Sequence, residues 1–349
     1  MSEFAMPLGT SRLDNVVFSN QHPRSIDKHS EILSGLQQKQ KSIDPKYFYD
    51  TRGSELFEQI TELPEYYPTR TERKILKREA KAMAEYCGQN CVLIEPGSGS
   101  SEKVRLLLDS LRPAAYVPMD ISADFLRRSA IKLGEEYPWL NVHAVCTDFA
   151  RQEKAPEGLP AGKRVVFYPG STLGNMKPAE ASDFLRHLGH WLNEDGGVLI
   201  GIDMHKSTQI LDAAYNDAQA ITAAFNLNML SNINTLMDAN FDIENFSHHA
   251  FYNEEEFRIE MHLVSKLDQI VKLGDTHIAF TRGETIHTEN SYKYTLESFQ
   301  EIAQSAGFVI RSSWSDEQQL FSVYYLELER TGTHGVPRHL RLPGAQISQ

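Results

Sequence analysis

Cysteines are scarce in this sequence, and long apolar runs are missing. Cys87, Cys91 and Cys146 have no Cys or His partners at metal-ligand spacing, which argues against a zinc site and favours buried thiols in a reducing compartment. No stretch approaches the roughly eighteen apolar residues of a membrane span, and the N-terminus lacks an apolar signal core. We therefore expect a soluble, cytoplasmic protein with no membrane partner.

Blocks of lysine and arginine are absent as well. The chain has 35 basic and 47 acidic residues and a net charge of −12, so its surface should not attract nucleic acid. With 349 residues, the chain can bury a large core and form two domains. We expect a monomer that acts on a small molecule.

Residues 92–103 predict the strand, loop and helix that begin a nucleotide-binding sheet. An apolar run of strand length ends in a glycine-spaced turn, and a helical pattern follows. Gly97 and Gly99 allow a tight turn and a close approach to a ligand because neither has a Cβ. Glu102 replaces the third glycine of the dinucleotide fingerprint, so an ordinary tight loop is an alternative.

Acidic residues at the ends of the next two strands support a nucleotide site. Asp120 ends a strand about twenty residues after the glycine turn, where a carboxylate can bind two ribose hydroxyls. Asp148 ends the third strand beside the aromatic Phe149, which suits an adenosine at the strand tips. Either aspartate could instead cap the helix that follows it.

The remaining pattern alternates strands and helices, which predicts a parallel α/β sheet with right-handed crossovers. Strands are expected at 91–97, 114–120, 140–147, 164–168 and 197–203, and helices at 71–86, 101–111, 123–135 and 178–192. A helix at 210–225 and strands at 251–264 and 270–281 interrupt this order and indicate a second lobe. A helix at 295–306 precedes strands 309–314 and 320–328, which should pair antiparallel because their connection is too short for a crossover. Five parallel strands closed by this hairpin describe a Rossmann-like, seven-stranded methyltransferase sheet.

Tyrosines are concentrated in two segments before the first strand. Residues 47–57 place aromatic side chains around a turn, and the prolines that bound residues 63–70 predict a non-helical loop. Such loops either bind a ligand directly or cover a pocket as an apolar lid.

Five segments are informative together: 47–57 (YFYDTRGSELF), 63–72 (LPEYYPTRTE), 97–103 (GSGSSEK), 170–175 (GSTLGN) and 288–293 (TENSYK). They resemble the histidine Nα-methyltransferases of ergothioneine biosynthesis, over about residues 29–329. The resemblance implies an enzyme that uses S-adenosylmethionine (SAM), and no metal, to methylate the α-amine of L-histidine three times. The product would be hercynine.

The same resemblance implies the site residues. The cofactor-binding residues are expected to be Gly97, Lys103, Asp120, Asp148 and Phe149. The amino-acid pocket is expected to consist of Tyr49, Tyr66, Gly170, Asn175, Tyr215, Met261, Glu289 and Ser291. The catalytic role falls on Tyr49, whose hydroxyl would orient the amine and relay protons. Methylammonium could be stabilised by the faces of the three tyrosines through cation–π attraction.

Substrate choice is expected to depend on Glu289 and Ser291. At i and i+2 of an extended segment they share one face, so both can reach an imidazole ring. A strand end or a helix cap is the alternative for this pair. Asn175 and Tyr215 could hold the substrate carboxylate, or could be a turn residue and a half-buried helix residue.

The chain is expected to divide into two lobes with flanking ends. A substrate-binding α+β lobe would comprise 23–70 and 206–292, and a SAM-binding domain would comprise 71–205 and 293–330. Residues 1–22 are polar and without periodicity, which predicts a mobile leader, and residues 331–349 predict a flexible tail.

Three other functions remain open at this stage. A relative acting on another aromatic amino acid, such as a tryptophan derivative, would not need Glu289 with Ser291. A nucleic-acid methyltransferase is disfavoured by the acidic surface and by Tyr168-Pro169-Gly170 in place of an Asn/Asp-Pro-Pro-Tyr motif. A non-catalytic nucleotide-binding protein would have no reason for a polar and aromatic amino-acid pocket.

Overall fold

A computed structural model describes residues 14–21 and 28–329. The strands are β1 Val16–Asn20, β2 Lys41–Ser42, β3 Val92–Pro96, β4 Ala115–Asp120, β5 Val142–Cys146, β6 Arg164–Tyr168, β7 Gly197–Asp203, β8 Phe246–Asn253, β9 Arg258–Ser265, β10 Gln269–Leu273, β11 Thr276–Phe280, β12 Thr285–Tyr292, β13 Phe308–Ser315 and β14 Phe321–Leu328. The helices are α1 Lys28–Leu36, α2 Thr51–Glu62, α3 Tyr67–Cys87, α4 Arg105–Leu111, α5 Ala123–Glu136, α6 Pro178–Gly189, α7 Thr208–Tyr215, α8 Ile221–Met237 and α9 Leu296–Ser305. Short 3-10 helices cover Pro45–Phe48, Phe149–Arg151, Thr172–Asn175 and Ile243–Asn245.

The large sheet has the strand order β1-β5-β4-β3-β6-β7-β14-β13. Strands β1 and β3 to β7 pair in parallel, whereas β14 runs antiparallel to β7 and to β13. The predicted five parallel strands closed by an antiparallel hairpin are therefore confirmed. All residues of β3 and β7 are buried, because helices cover both faces of the sheet.

The sheet has eight strands rather than the predicted seven. The expectation of an unstructured leader was wrong for β1, which pairs in parallel with β5 from Val16 opposite Val142. Asn15 anchors it, since its Nδ2 donates to the carbonyl oxygens of Leu140 at 3.0 Å and Gly134 at 3.1 Å. This edge strand is held by backbone hydrogen bonds, which depend little on residue type. Its sequence therefore has no alternation of apolar and polar residues that would predict a strand. Residues 1–13 and 22 of the predicted leader and the predicted tail 331–349 lie outside the described residues.

Two apolar cores lie on the two faces of this sheet. Helices α3, α4 and α5 form one layer, with the fully buried Met83, Leu107 and Leu133 as members. Helices α6 and α9 form the other, with Leu185 and Phe299. The three cysteines are free and buried, as expected.

A third apolar core lies outside the large sheet. It joins the segment before α3 to the block between β7 and α9. It contains side chains of α1, α2, α7 and α8, the sheet β2-β12-β9-β8 and the hairpin β10-β11. Phe48 stacks on Phe225 with ring centroids 4.5 Å apart, which joins the segment before α2 to α8. No helix in the described ranges is both long and apolar enough to cross a membrane.

Two predictions for this block were wrong in detail. The single helix expected at 210–225 is broken into α7 and α8, because the Asp217 carboxylate accepts the N–H groups of Ile221 and Thr222 at 2.8 Å and so begins a new helix. Ala220, with φ +55°, completes the break. The two strands expected at 251–264 and 270–281 are instead two hairpins, of β8 with β9 and of β10 with β11, because a turn at 254–257 and a turn at 274–275 interrupt them.

The tyrosine-rich segments are also more helical than predicted. Helix α2 begins at Thr51, and Asp50 Oδ1 caps it by accepting from Gly53 N at 2.6 Å. Helix α3 begins at Tyr67 and not near residue 71. Pro68 lies in its first turn, where the N–H that proline lacks has no helical partner to lose.

Candidate active site

The glycine turn after β3 has the geometry of a ligand-binding loop. Gly97 has φ +67° and Gly99 has φ +52°, in the left-handed region that favours glycine. A Cβ on Gly97 would lie 3.5 Å from the ring of Phe149, so the glycine leaves space beside an aromatic edge. Helix α4 begins at Arg105, later than predicted, so a longer loop than expected crosses the end of the sheet.

Asp120 ties this loop to the next strand. Its Oδ2 accepts from Gly99 N at 3.2 Å, and its Oδ1 accepts from Ser122 N at 2.9 Å. Burial raises the pKa of Asp120, although these two backbone N–H donors act to lower it. Asp120 is therefore a loop anchor at a half-buried position. Asp148 and Phe149 follow β5 at the same edge of the sheet.

Lys103 and Gly170 meet at a glutamate that was not predicted. Glu72 of α3 is completely buried, and its Oε2 lies 2.6 Å from Lys103 Nζ. The same carboxylate accepts from Gly170 N at 2.9 Å. A Cβ on Gly201 of β7 would lie only 2.1 Å from Glu72 Oε1, so a glycine is needed there. Glu72 thus holds the loop after β3 to the loop after β6.

A second buried glutamate lies within β3. Burial raises the pKa of Glu95 to about 8, although the Tyr116 hydroxyl donates to it. The Tyr116 hydroxyl also lies 3.0 Å from Ser101 Oγ, which connects Glu95 to the glycine loop. A glutamate within an apolar strand is visible in the sequence, and it could have predicted a buried acid at this position.

Strand β12 and the end of α7 bring the predicted pocket residues together. The Tyr215 hydroxyl donates to Ser291 Oγ at 2.9 Å. The ring of Tyr66 stands edge-on to that of Tyr215, with centroids 6.2 Å apart. Met261 is buried on β9 directly opposite Glu289 of β12.

Glu289 is the most unusual group of this pocket. Burial raises its pKa to about 7, and the nearby charge of Lys293 offsets only part of that effect. Its charge in turn raises the pKa values of Tyr49, Tyr66 and Tyr215, after the larger effect of burial on each, so its carboxylate lies near all three hydroxyls. Within the described chain, its carboxylate accepts no hydrogen bond.

The other polar groups of the pocket are similarly unpaired. Within residues 14–21 and 28–329, the hydroxyls of Tyr49 and Tyr66 and the side-chain amide of Asn175 make no hydrogen bond. Tyr49 is 47% exposed at the rim. Asn175 ends a 3-10 helix that lies against β12, where a Cβ on Gly174 would be 2.9 Å from the Tyr292 carbonyl oxygen. Polar atoms without protein partners are available to a ligand.

Behind the pocket lies a buried charge network. Asp203, at the end of β7, lies 2.8 Å from Lys293 Nζ and 2.5 Å from Lys206 Nζ, and accepts from the Tyr67 hydroxyl at 2.7 Å. Burial acts to raise the pKa of Asp203, but the two lysines outweigh it and hold the pKa below its ordinary value. Burial lowers the pKa of Lys206 to about 8. The Asp203 N–H donates to Ser171 Oγ at 2.8 Å, which joins this network to the loop after β6.

Proteins of similar sequence identify the family of this chain. Residues 28–328 match the profile of a family described as histidine-specific methyltransferase, SAM-dependent. The chain belongs to this family. The histidine N-alpha-methyltransferase of Mycolicibacterium smegmatis is 41% identical over 82% of this chain and 90% of that protein. Ergothioneine biosynthesis protein 1 of Neurospora crassa is 31% identical over 83% of this chain, which corresponds to 34% of that protein. An L-tryptophan methyltransferase of Psilocybe serbica is 27% identical over 75% of this chain and 80% of that protein.

In this member of the histidine-specific methyltransferase family, a buried asparagine supports the pocket from behind. Asn226 of α8 donates through Nδ2 to the His262 carbonyl oxygen at 3.0 Å and lies 2.9 Å from His248 Nδ1. Its Oδ1 accepts from the Thr288 hydroxyl at 2.7 Å. Thr288 occupies the irregularity of β12 directly before Glu289, and His248 Nε2 lies 3.0 Å from the Tyr215 carbonyl oxygen. The asparagine thus connects the strand that carries Glu289 to the end of α7 that carries Tyr215, on two sides of the predicted amino-acid pocket.

One cluster of potential metal ligands lies on the other face of the small sheet. Glu260, His262 and His287 are the group in the described ranges whose ligand atoms lie within 4.8 Å of one another. The two imidazoles stack with centroids 4.5 Å apart and planes at 19°, so their in-plane lone pairs run side by side and do not converge on one ion. Arg258 and Asn253 already donate to Glu260 at 2.7 and 2.9 Å. This arrangement is a stacked hydrogen-bonded cluster.

Proposed function

We propose that this protein methylates the α-amine of L-histidine three times and forms hercynine, the first step of ergothioneine biosynthesis. The observation that carries the proposal is Glu289, a half-buried carboxylate on the same strand as Ser291 that accepts no hydrogen bond from the described residues. A buried charge without a partner is costly, so this residue favours a ligand with N–H donors, as an imidazole has. The names of the relatives, a histidine N-alpha-methyltransferase and an ergothioneine biosynthesis protein, support the same substrate.

We propose that SAM binds at the carboxyl ends of β3, β4 and β5. Support comes from the space that Gly97 leaves beside the Phe149 ring and from Asp120, a half-buried acid able to accept from ribose hydroxyls. Asp148 and Lys103 are the other proposed contacts. When bound, SAM supplies an electrophilic methyl group.

The protein itself must present the substrate amine neutral and aligned, and such positioning can supply much of the barrier reduction. The partner-free hydroxyls of Tyr49 and Tyr66 are suited to accept from the amine. Desolvation of the hydroxyl raises the pKa of both residues, although the Tyr49 residue as a whole is 47% exposed, so they stay protonated and relay protons rather than act as phenolate bases. We propose that Tyr49, which is exposed at the rim, passes the released proton to water.

The remaining pocket residues would hold the two ends of the substrate. The side-chain amide of Asn175 is proposed to bind its carboxylate, and Glu289 and Ser291 its ring, with Met261 packed beside them. Gly170 and Tyr215 are proposed to shape the pocket, because the Gly170 N–H already donates to Glu72 and the Tyr215 hydroxyl to Ser291. The tyrosine faces would stabilise the growing methylammonium by about 0.5–2 kcal/mol through cation–π attraction. The amine is left free to turn between transfers, because no anion grips the methylammonium group itself.

We further propose the division of labour between the lobes. Residues 23–70 and 206–292 would bind the amino acid, and residues 71–205 with 293–330 would bind SAM. The enzyme is proposed to act as a cytoplasmic monomer, without a metal, a membrane or a nucleic acid as partner.

Mass spectrometry of L-histidine incubated with the protein and SAM tests the reaction. We expect gains of one, two and three methyl groups, with the trimethylated form accumulating. L-tryptophan in a parallel reaction is the comparison substrate, because one of the relatives is named for it. Methylation of tryptophan in preference to histidine, or an unchanged KM for histidine in Glu289→Ala, would show that Glu289 does not read the ring.

A further inference from the structure

Lys293 stands directly behind the proposed ring-binding residues. Its side chain is completely buried, and its Nζ lies 2.8 Å from Asp203 Oδ2, 2.6 Å from Ser291 Oγ and 3.4 Å from the Tyr215 hydroxyl. An ammonium has three N–H donors and no acceptor, so these three oxygens occupy all its donors. Burial alone would lower the pKa of Lys293, but Asp203 raises it well above its ordinary value, and the ammonium stays charged.

This contact fixes the direction of the hydrogen bonds around Ser291. Its Oγ accepts from Lys293 and from the Tyr215 hydroxyl, which donates at 2.9 Å. A serine hydroxyl has two acceptor positions and one proton. Since both acceptor positions are filled, Ser291 can only donate to a ligand in the pocket.

Glu289 offers the opposite polarity on the same strand. When ionised, its carboxylate only accepts hydrogen bonds. Together, Glu289 and Ser291 present one acceptor and one donor. A neutral imidazole carries one N–H and one bare nitrogen and matches this pattern, whereas an imidazolium carries two N–H groups.

We propose that Lys293, by fixing Ser291 as a donor, makes the pocket select the neutral imidazole of histidine in a single tautomer and reject the imidazolium. This inference rests on the function proposed above. A doubly protonated ring would set an N–H against the Ser291 proton and a positive charge against the lysine. Lys293 is thus a specificity-determining residue that acts through Ser291.

The expected effect follows from the imidazole pKa of about 6.5. Between pH 7.5 and pH 5.5 the neutral fraction of the ring falls from about nine tenths to about one tenth, so the Kd for histidine should weaken about ninefold from this cause. Protonation of Glu289, whose pKa is about 7, weakens the binding of any ring with an N–H over the same range. A reference ligand separates the two effects: 3-(1,2,4-triazol-3-yl)alanine has N–H and bare nitrogens but a ring too weakly basic to protonate.

Calorimetry on the protein saturated with S-adenosylhomocysteine measures both Kd values at pH 5.5 and 7.5. We expect the ratio of the histidine Kd to the triazolylalanine Kd to rise about ninefold on acidification in the unmodified protein. In Lys293→Met, Ser291 is free to accept, and the ratio should change less than about twofold. Lys206→Met is the matched control, because it removes another partner of Asp203 without touching Ser291, and should keep the ninefold change.

Nitrogen NMR of ring-labelled histidine in the same complex at pH 6 tests the inference without any variant. We expect one protonated and one unprotonated ring nitrogen. Two protonated nitrogens, or a Kd ratio independent of pH in the unmodified protein, would overturn the selection of the neutral ring while leaving histidine as the substrate. Failure of histidine to bind or to be methylated would instead overturn the proposed function.

Discussion

Replacing Glu289 by glutamine should stabilise the folded protein by an amount that grows as the pH rises from 4.5 to 7 and then stays constant. The pocket gives this carboxylate no hydrogen bond among the described residues, and burial raises its pKa from an ordinary 4.5 to about 7. The folded protein therefore binds the Glu289 proton more tightly than the unfolded chain does. An acid with a raised pKa favours folding at low pH, and that contribution is lost as the pH rises through the folded-state value.

The magnitude follows from the two pKa values. Since one pKa unit corresponds to about 1.4 kcal/mol, the ionised Glu289 lowers the free energy of unfolding by about 3 kcal/mol above pH 7. Glutamine has nearly the same shape and cannot ionise. Glu289→Gln should thus match the unmodified protein near pH 4.5, gain stability between pH 4.5 and 7, and keep an advantage of about 3 kcal/mol at pH 8.5.

Urea denaturation followed by circular dichroism, in steps across this pH range and without ligands, measures the difference. Glu284→Gln is the control, because Glu284 precedes β12 in the same sheet but pairs with Lys41. Burial acts to raise its pKa, but Lys41 and the hydrogen bonds from Thr281 together outweigh burial and lower the pKa, so this variant should lose stability at neutral pH. A stability difference for Glu289→Gln that does not vary with pH, or that has the opposite sign at pH 8.5, would refute the reasoning.

Three further predictions test other parts of the site. Tyr49→Phe should lower kcat on the order of a hundredfold if its hydroxyl relays protons, as measured by single-turnover mass spectrometry; three transfers at full rate would remove that role. Gly201→Ala should weaken SAM binding about tenfold in calorimetry, because its Cβ would displace the Glu72 carboxylate; an unchanged Kd would show that the displaced contacts do not shape the cofactor loop. Asn226→Leu should lower the free energy of unfolding by about 2–5 kcal/mol and raise the KM for histidine, because several buried groups lose their partner. Asn232→Leu, on the same helix, loses one bond to a carbonyl oxygen of the Pro45–Phe48 segment and should cost about 1 kcal/mol without a change in KM; equal KM values for the two asparagine variants would contradict the bracing role.

The sequence predicted the features that local patterns determine. The short connection before β14 dictated an antiparallel hairpin, and the apolar runs of β3 to β7 dictated buried parallel strands. It did not predict β1, which is held by backbone pairing with a strand more than a hundred residues away. The partners of Glu72 and Lys293 were missed for the same reason: Glu72 meets Gly170 across 98 positions, and no local pattern encodes that contact.

The start of α3 explains why residues 63–72 are so distinctive. The seven residues from Tyr66 to Glu72 make three contacts with the predicted site. Tyr66 packs against Tyr215, the Tyr67 hydroxyl donates to Asp203, and Glu72 accepts from Gly170 N in the loop after β6. Each residue of a helix turns the chain by about 100°, so Tyr67 and Glu72 project about 140° apart from its first turns and can reach the separate ends of β7 and β6 at once. Pro68 fixes where the helix begins and therefore sets the register of all three contacts. The segment acts as a rigid link between the two proposed ligand sites, so a change in its starting position would disturb both together.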